Sequence, residues 1–468
     1  MIPDRFQATL EEVRPLADAF AAAGHRLYLV GGIVRDHFLG RERGAGGDVD
    51  LTTDARPEQI KAVVAPLADA VWEQGARFGT IGCRIGGRPY EITTHRAEAY
   101  TTDSRKPQVV FSDSIVDDLA RRDFTVNAMA LEVPEPRLVD PHGGAADLAA
   151  GVLRTPLAPE ESFSDDPLRM MRAARFIAGY GLTPTDDLVA AVEAMAPRME
   201  IVSAERIRDE LDKLIVVDDP AAGLWFLNDT GLAEQFLPEL PAMRLEMDPI
   251  HRHKDVLAHS IAVVGNVRPV DDEGNPNRIT RLAALFHDVG KPKTRSFDKG
   301  NGVSFHHHEV VGARMTRERM QALKYSKEDV EAVTQLVFLH LRFHTYRLGW
   351  TDAAVRRFVR DAGPLLPELI ELTRCDCTTR NQRKARILAN RMDELEERIA
   401  VLEAEEELKA IRPDLDGQAV MARLGVGPGP VVGRALAFLL ELRLEEGPLG
   451  EEEAGRRLDA WWAAQHEG

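Results

Sequence analysis

The sequence predicts an α+β protein in which a head built on a mixed β-sheet is followed by an all-helical remainder. Three observations predict it. Up to about Pro141, short apolar or β-branched runs at 27–30, 49–52, 80–85 and 90–94 alternate with helical stretches, the pattern of a mixed sheet covered by helices. After Pro156 the strand signals stop, and from Asp166 onward Ala, Leu, Arg and Glu recur at helical spacing. Pro and Gly then break that pattern at 179–184, 197, 220, 238–249 and 271–276. The expected segments are a head at 1–155, a helical neck at 156–240, a His-rich middle at 241–385 and a helical tail at 386–468.

The whole chain narrows the function classes. Its 468 residues, 44% of them hydrophobic, suffice for several cores. No apolar run has membrane-spanning length, and the start MIPDRFQATLEEVRPL lacks the basic and apolar stretches of a signal peptide, so a cytoplasmic location without a membrane partner is expected. Three cysteines, Cys83, Cys375 and Cys377, fit a reducing compartment. A net charge of −17 opposes nucleic-acid binding in sum, yet arginines cluster at 121–122, 169–175, 356–360 and 374–386, which leaves room for a basic RNA-binding stripe.

The first element with chemistry is Leu29–Gly40, LVGGIVRDHFLG. A buried strand through Val30, a turn at Gly31 and Gly32 and a short helix over Ile33–Leu39 leave backbone N–H groups unpaired at the helix start, which is a phosphate seat. A second strand carries Asp48 and Asp50, whose two-residue spacing places both carboxylates on one face, where they can share hard metal ions. Separately, the glycines read as a plain turn and the carboxylates as a solvated strand end. In sequence, within one strand–turn–helix–strand unit, they point to metal-assisted nucleotide chemistry. Glu91, on the 90–94 strand, reads equally as a third metal carboxylate or as an edge-strand charge.

This stretch resembles the signature of the class II nucleotidyltransferases, the family of tRNA CCA-adding enzymes and bacterial poly(A) polymerases. Further segments resemble the same family in its order. Arg121–Ala130 (RRDFTVNAMA) is similar to the motif that meets the sugar of the incoming nucleotide, implying that Arg122 and Asp123 bind the 2′-OH jointly, with Asn127 beside them. Asp140–Arg154 resembles the head–neck connection, where Gly143 and Gly144 allow a hinge or simply form a loop. Asp165–Phe176 (DDPLRMMRAARF) resembles the base-templating motif. Asp166 and Arg169, three apart on an expected helix, read from spacing alone as a salt bridge; the resemblance makes them a protein template for CTP and ATP. Cytosine and adenine both present an amino donor beside a ring-nitrogen acceptor, which an Asp–Arg pair matches and which guanine and uracil reverse.

The resemblance also implies two Mg²⁺ ions on Asp48 and Asp50, phosphate contacts from Gly31, Gly32 and Arg35, nucleotide contacts from Arg172 and Arg175, and tRNA as the acceptor. Glu205–Leu211 (ERIRDEL) resembles the last neck motif, expected either to brace the templating helix or, through Arg206 or Arg208, to touch phosphate. The loop Thr101–Phe111, with Arg105 and Lys106, lies where the family places the loop linked to the switch from C to A addition. RPDLDG at 412–417 and LGVGPGPVVG at 424–433 resemble the tail of the bacterial enzymes, where a Gly-rich turn opening a helix reads equally as a seat for an RNA phosphate or as a cap between two helices.

His259, then His287-Asp288 in LFHDVGKPKT, then Asp376 follow the order of the HD phosphohydrolase superfamily and imply a divalent metal site. His308 and His340 lie between them and read either as a second set of metal ligands or as ordinary histidines. The expected function is template-independent CCA addition to tRNA. The alternatives are a poly(A) polymerase and, from another class, an HD phosphohydrolase or nucleotide-binding regulator with a relic head.

Overall fold

In the computed structural model, residues 4–41, 49–99, 108–245, 255–298, 302–345, 350–377, 382–406 and 411–465 are described, and the chain divides into two units, Met1–Pro238 and Glu239–Gly468. The first unit is built on a seven-stranded sheet. Its strands in chain order are β1 (Leu27–Val30), β2 (Val49–Thr53), β3 (Ala70–Trp72), β4 (Thr80–Ile85) and β5 (Arg88–Thr94). A separate hairpin of β6 (Arg96–Ala99) and β7 (Gln108–Phe111) follows, then β8 (Ala130–Val133) and β9 (Arg137–Val139) complete the sheet. Their spatial order is β3-β4-β5-β2-β1-β8-β9, with β2 and β5 parallel and every other neighbouring pair antiparallel, so the expected mixed sheet is present.

Every residue of β1 is buried, as a continuous apolar run in a central strand requires. Val13, Leu16 and Phe20 of the helix Gln7–Ala22 pack its apolar stripe against β1 and β8. After β5 the chain turns inward at His95, whose backbone N–H donates to the Thr53 carbonyl at 2.7 Å and whose Nδ1 lies 2.8 Å from the Thr52 hydroxyl. That ring is fully buried, and burial pushes its pKa down to about 4. The neck is helical: Leu168–Tyr180 packs on Ala204–Ile215 and Ala221–Asp229 through Met170, Ala173, Ala174 and Leu211.

The second unit is centred on the helix Arg278–Phe286, which packs against Val256–Asn266, Lys327–Leu339 and Leu366–Asp376. Even Arg281 is buried there, its guanidinium donating to the Val267 carbonyl at 2.8 and 3.1 Å. The tail helices Gly417–Leu424, Pro430–Glu446 and Gly450–Ala464 close around Val420, Leu439 and Leu458.

Two expectations are corrected here. The remainder after Pro156 is not wholly helical: Thr183–Pro184 pairs with Val152–Leu153, and Ser296–Asp298 forms a hairpin with Gly302–Ser304. Both are three residues or fewer, too short for a periodic signal in the sequence. The arginines at 356–360 are committed within their own unit. Arg356 donates to the Leu444 carbonyl and Arg357 pairs with Glu441 and Glu445 of Pro430–Glu446, so they anchor the tail helix to Asp352–Ala362.

His95 makes the head sensitive to acid. The folded pKa of about 4 lies below the ordinary 6.5, so the unfolded chain binds the extra proton; the stability is complete above pH 6.5 and is lost as pH falls toward 4, by up to about 1.4 kcal/mol per unit. Denaturant midpoints measured from pH 7 to pH 5 should fall with this slope in the wild type and less steeply in His95→Gln.

Candidate active sites

The head site is assembled where β1 ends. Gly31 has φ +70°, a left-handed conformation that favours glycine, and the helix Gly32–Leu39 starts immediately after it. A Cβ at Gly31 would sit 3.2 Å from the Arg122 guanidinium, so that cation lies directly beside the turn. Arg122 is held by Asp118, which is fully buried and accepts from Arg121 at 2.9 Å and Arg122 at 3.1 Å. Burial opposes the Asp118 charge, but the two guanidinium groups outweigh it and hold the carboxyl well below the usual carboxylate range. Asp118 was not singled out in the sequence, although its spacing of three and four residues from the two arginines is a helical pairing signal.

On β2, Asp50 is half-buried and stands in register with Glu91 on β5. Residues in register on adjacent parallel strands face the same side, so the two carboxylates share one face. β5 lies between β4 and β2, so the edge-strand reading of Glu91 does not hold. Asp48, Arg105 and Lys106 lie outside the described residues.

The motif expected to meet the sugar is held in place from the neck. Asp123 is met not by Arg122 but by the neck's Arg172, whose Nε donates to it at 2.9 Å, while Asn127 Nδ2 donates at 3.0 Å. Burial opposes the Asp123 charge and Arg172 outweighs it, keeping the carboxyl well below its usual range. Arg172 also lies 3.6 Å from Glu210, which accepts from Arg175 at 2.9 Å, so Arg175 serves this ion-pair network. Glu210, inside ERIRDEL, is the group that braces the helix.

Arg35 is buried and fully engaged: it donates to Asp36 at 2.7 and 2.9 Å, to Asn127 at 2.6 Å and to the Tyr180 hydroxyl, over whose ring it stacks at 4.1 Å. The geometry makes it a clamp between head and neck helix rather than a free phosphate ligand. Gly144 also does other work than a hinge, because a Cβ there would reach 2.0 Å from the Thr125 carbonyl oxygen; glycine permits close packing beneath the Asp123–Asn127 turn.

Asp166 and Arg169 do not share a helix, which corrects the spacing argument. Asp166 has extended backbone after Pro159–Asp165, Pro167 follows, and the next helix starts at Leu168. The Asp166 carboxylate accepts from Arg206 at 2.7 Å and from the Leu168 N–H at 3.2 Å. Arg169 instead donates to the Ser162 hydroxyl at 2.8 Å and to the Arg121 carbonyl. The pair is therefore not the intrahelical salt bridge of the plainer reading; each member is fixed separately, and Arg169 is fixed against the head.

The second unit holds a cluster drawn from five places. His259 lies on Val256–Asn266, His287 and Asp288 follow Arg278–Phe286, His308 opens His308–Ala322, His340 follows Lys327–Leu339 and Asp376 ends Leu366–Asp376. Two sets of potential ligand atoms, His259 with His287 and Asp376, and Asp288 with His308 and His340, each lie within 4.8 Å of one another. Asp288 stands between them: Oδ2 is 3.3 Å from His287 Nε2 and Oδ1 is 3.4 Å from His308 Nε2.

The histidines are oriented from behind. Nδ1 of His287, His308 and His340 lies 2.8, 2.8 and 2.6 Å from the backbone carbonyl three residues earlier, which places a proton on Nδ1 and turns Nε2 into the cluster as the ligand position. All three Nε2 atoms, and Asp288 Oδ1, are buried without a hydrogen-bond partner. Four such atoms, divided between the two neighbouring ligand sets, are a costly arrangement for a packed core and the expected one for cation ligands. Burial disfavours charge on His287, yet Asp288 and Asp376 push its pKa up to about 10, while burial and His287 push His340 down to about 3.

A nucleotidyltransferase-type head joined to a helical neck, with a His/Asp cluster in a second unit, defines a class, and comparison with known proteins agrees. Residues 27–154 match the Poly A polymerase head domain, 181–243 the probable RNA and SrmB-binding site of polymerase A, and 256–381 the HD domain. The A-adding tRNA nucleotidyltransferase of Deinococcus radiodurans is 35% identical over 94% of this chain and 96% of its own. The CCA-adding enzyme of Geobacillus kaustophilus is 39% identical over 47% of this chain and 52% of its own. Among solved structures, the Bacillus stearothermophilus CCA-adding enzyme in complex with CTP shares the fold with a TM-score of 0.71 at 23% identity, covering 99% of both chains. The Thermotoga maritima CCA-adding enzyme complexed with tRNA gives 0.61 at 19% identity, over 97% of this chain and 96% of that one. The chain belongs to the tRNA nucleotidyltransferase family, and the expected fold is that of its members. Among the described residues no helix is long and apolar enough to cross a membrane.

The two arginine contacts of the neck should differ in weight. Removing Arg172 strands the buried Asp123 carboxylate, so Arg172→Ala should destabilise the first unit by about 3 kcal/mol. Arg206 is more than half exposed, and Arg206→Ala should cost below about 1 kcal/mol. Urea unfolding of both variants checks the contrast.

Proposed function

We propose that this protein completes the 3′-CCA end of tRNA from CTP and ATP without a nucleic-acid template. The head (1–155) carries the chemistry, the neck (156–240) selects the base, and the tail (386–468) holds RNA. The observation that carries the reading is the buried junction of Asp123, Asn127, Arg172 and Glu210, together with the Arg169 contact to the Arg121 carbonyl. It fixes the neck helix, and with it the base-selecting groups, against the nucleotide corner of the head.

In this reading the N–H groups at Gly32 and beyond orient the triphosphate, and Arg122 supplies charge beside them. Asp123, already oriented by Arg172 and Asn127, is a fixed acceptor for a ribose hydroxyl. Asp166 accepts from the exocyclic amino group of cytosine or adenine, and Arg169 donates to the adjacent ring nitrogen. Asp48 and Asp50, with Glu91 beside Asp50, form an all-carboxylate donor set suited to Mg²⁺. Two such ions would supply charge neutralisation on the triphosphate and a lower pKa for the attacking hydroxyl.

A-only addition is the second reading, favoured by the similarity over nearly the whole chain to an A-adding enzyme. Mass measurement of products from tRNA lacking CCA decides. CCA addition predicts two cytidines with CTP alone and a final adenosine when ATP is added; A-only addition predicts no product with CTP; a poly(A) polymerase predicts no stop after one adenosine. Asp50→Ala should reduce incorporation by orders of magnitude with the fold intact. Asp166→Ala and Arg169→Ala should lose preference for CTP and ATP over UTP and GTP by about 1–3 kcal/mol.

For the middle segment (241–385) we propose a metal-dependent phosphohydrolase that acts on 2′,3′-cyclic or terminal phosphates of damaged tRNA ends, restoring the free hydroxyl that addition requires. It rests on the four buried, unpartnered ligand atoms. His259, His287 and Asp376 would hold one divalent ion and Asp288, His308 and His340 another, and such ions supply a nucleophile at neutral pH. His287→Ala combined with Asp288→Ala should abolish hydrolysis assayed with Mg²⁺, Mn²⁺ or Ni²⁺ while nucleotide addition persists. Hydrolysis that persists in this variant contradicts the assignment.

A further inference from the structure

On the far side of the carboxylates from the phosphate seat, the head contains a cleft of about 380 Å³ lined by Trp72, Gln74, Phe78, Thr80, Glu91 and Arg96. The sequence makes it in a specific way. Trp72 ends β3 and lies across Gly82 of β4 so closely that a Cβ at Gly82 would fall 1.9 Å from the indole Nε1; only glycine leaves that indole flat against the sheet. Phe78 closes the Ala76–Phe78 turn ahead of Gly79 (φ +85°), against which the Phe111 ring packs. Phe78 is 39% exposed as a residue, and the Arg77 guanidinium lies 4.5 Å from the centre of its ring. Arg96 donates to the Thr80 hydroxyl at 3.0 Å, placing a cation in the wall itself.

We infer that this cleft receives the 3′-terminal nucleoside of the acceptor RNA, stacked on Phe78. The inference rests on the nucleotide-addition reading and adds to it the place from which the attacking hydroxyl arrives. In-line displacement at phosphorus puts nucleophile and leaving group on opposite sides of the reacting phosphate. The triphosphate seat lies at the end of β1, Asp50 lies on the neighbouring β2, and the next strands outward are β5, β4 and β3. A leaving pyrophosphate on the β1 side therefore requires the hydroxyl to enter from the β5 side, where Glu91 both lines the cleft and stands in register with Asp50.

The chemistry of the wall fits that occupant. The growing end presents a different base in successive cycles: whatever precedes the CCA, then cytosine, then cytosine again. A site that read one base by hydrogen bonds would reject the next, because its buried polar groups would be left unpaired. An exposed aromatic ring accepts every base, since each has a π-face, and an arginine over that ring adds attraction for the backbone. The cleft on the acceptor side thus tolerates base changes that the Asp166 and Arg169 side must discriminate.

The test uses the full-length protein with tRNA lacking CCA, and the same tRNA with an abasic 3′-terminal nucleotide, measuring kcat/KM for RNA and KM for CTP. Loss of stacking predicts that Phe78→Ala lowers kcat/KM for normal RNA by about fivefold to a hundredfold with KM for CTP unchanged, and that Phe78→Trp restores it. The abasic end should cost the wild type a similar factor and cost Phe78→Ala almost nothing more, because both remove the same contact. Penalties that multiply, or a Phe78→Ala defect confined to KM for CTP, overturn the inference while leaving nucleotide addition standing. A wild type that extends no RNA overturns the reading beneath it.

Discussion

The head and neck depend on one ion pair, Asp123 with Arg172, buried where the nucleotide corner of the sheet meets the helix Leu168–Tyr180. A carboxylate so enclosed is costly unless fully compensated, and here it accepts from Arg172, Asn127 and the Phe124 N–H. The same Asn127 accepts from Arg35, and Arg35 reaches Tyr180 on the same helix. Position is what these groups provide: Asp123, Asn127 and Arg35 of the head and Arg172 and Tyr180 of the neck satisfy one another in this arrangement. An enzyme that chooses a base without a nucleic-acid template needs that rigidity, since a drift of an ångström between the reading groups and the reacting phosphate erases both rate and selection.

The two units use one principle for different ends. In the head, charged groups are spent on each other, and Asp50 and Glu91 stand in register on one face of the sheet. In the second unit the histidines are aimed by their own backbone, each Nδ1 against a carbonyl three residues back, so that ring orientation costs no additional side chain. The unpartnered Nε2 atoms are the complement of that economy. If the chain both adds nucleotides and clears blocked ends, the metal sets are separate by construction, since they belong to different units.

Much of this was legible in the sequence, and the limits were physical. β1, β2, β4 and β5 were readable because each contains an apolar or β-branched run bounded by turns, whereas β3 and β9 have only three residues and β8 (Ala130–Val133) is interrupted by Glu132. The glycine turn after β1 and the His/Asp cluster were visible because such groups recur at fixed spacings. What spacing could not supply was which cation meets which carboxylate. Arg172 reaches across 49 residues to Asp123, and Arg206 across 40 to Asp166; nothing local marks either pair. The i, i+3 argument for Asp166 and Arg169 failed for a readable reason, because Pro167 between them disfavours helical backbone at Asp166. The resemblance implied phosphate contact for Arg35, and only its folded partners Asp36, Asn127 and Tyr180 show it to be a clamp.

The central claim is that protein groups, not RNA, select the base. Equilibrium binding of CTP, ATP, UTP and GTP to the full-length protein with Mg²⁺ and without RNA tests it most directly. The account predicts that CTP and ATP bind at least about tenfold more tightly than UTP and GTP, the loss expected when a donor and an acceptor are opposed rather than matched. Equal affinity for all four nucleotides in the absence of RNA, with selectivity arising only once tRNA is bound, would contradict it.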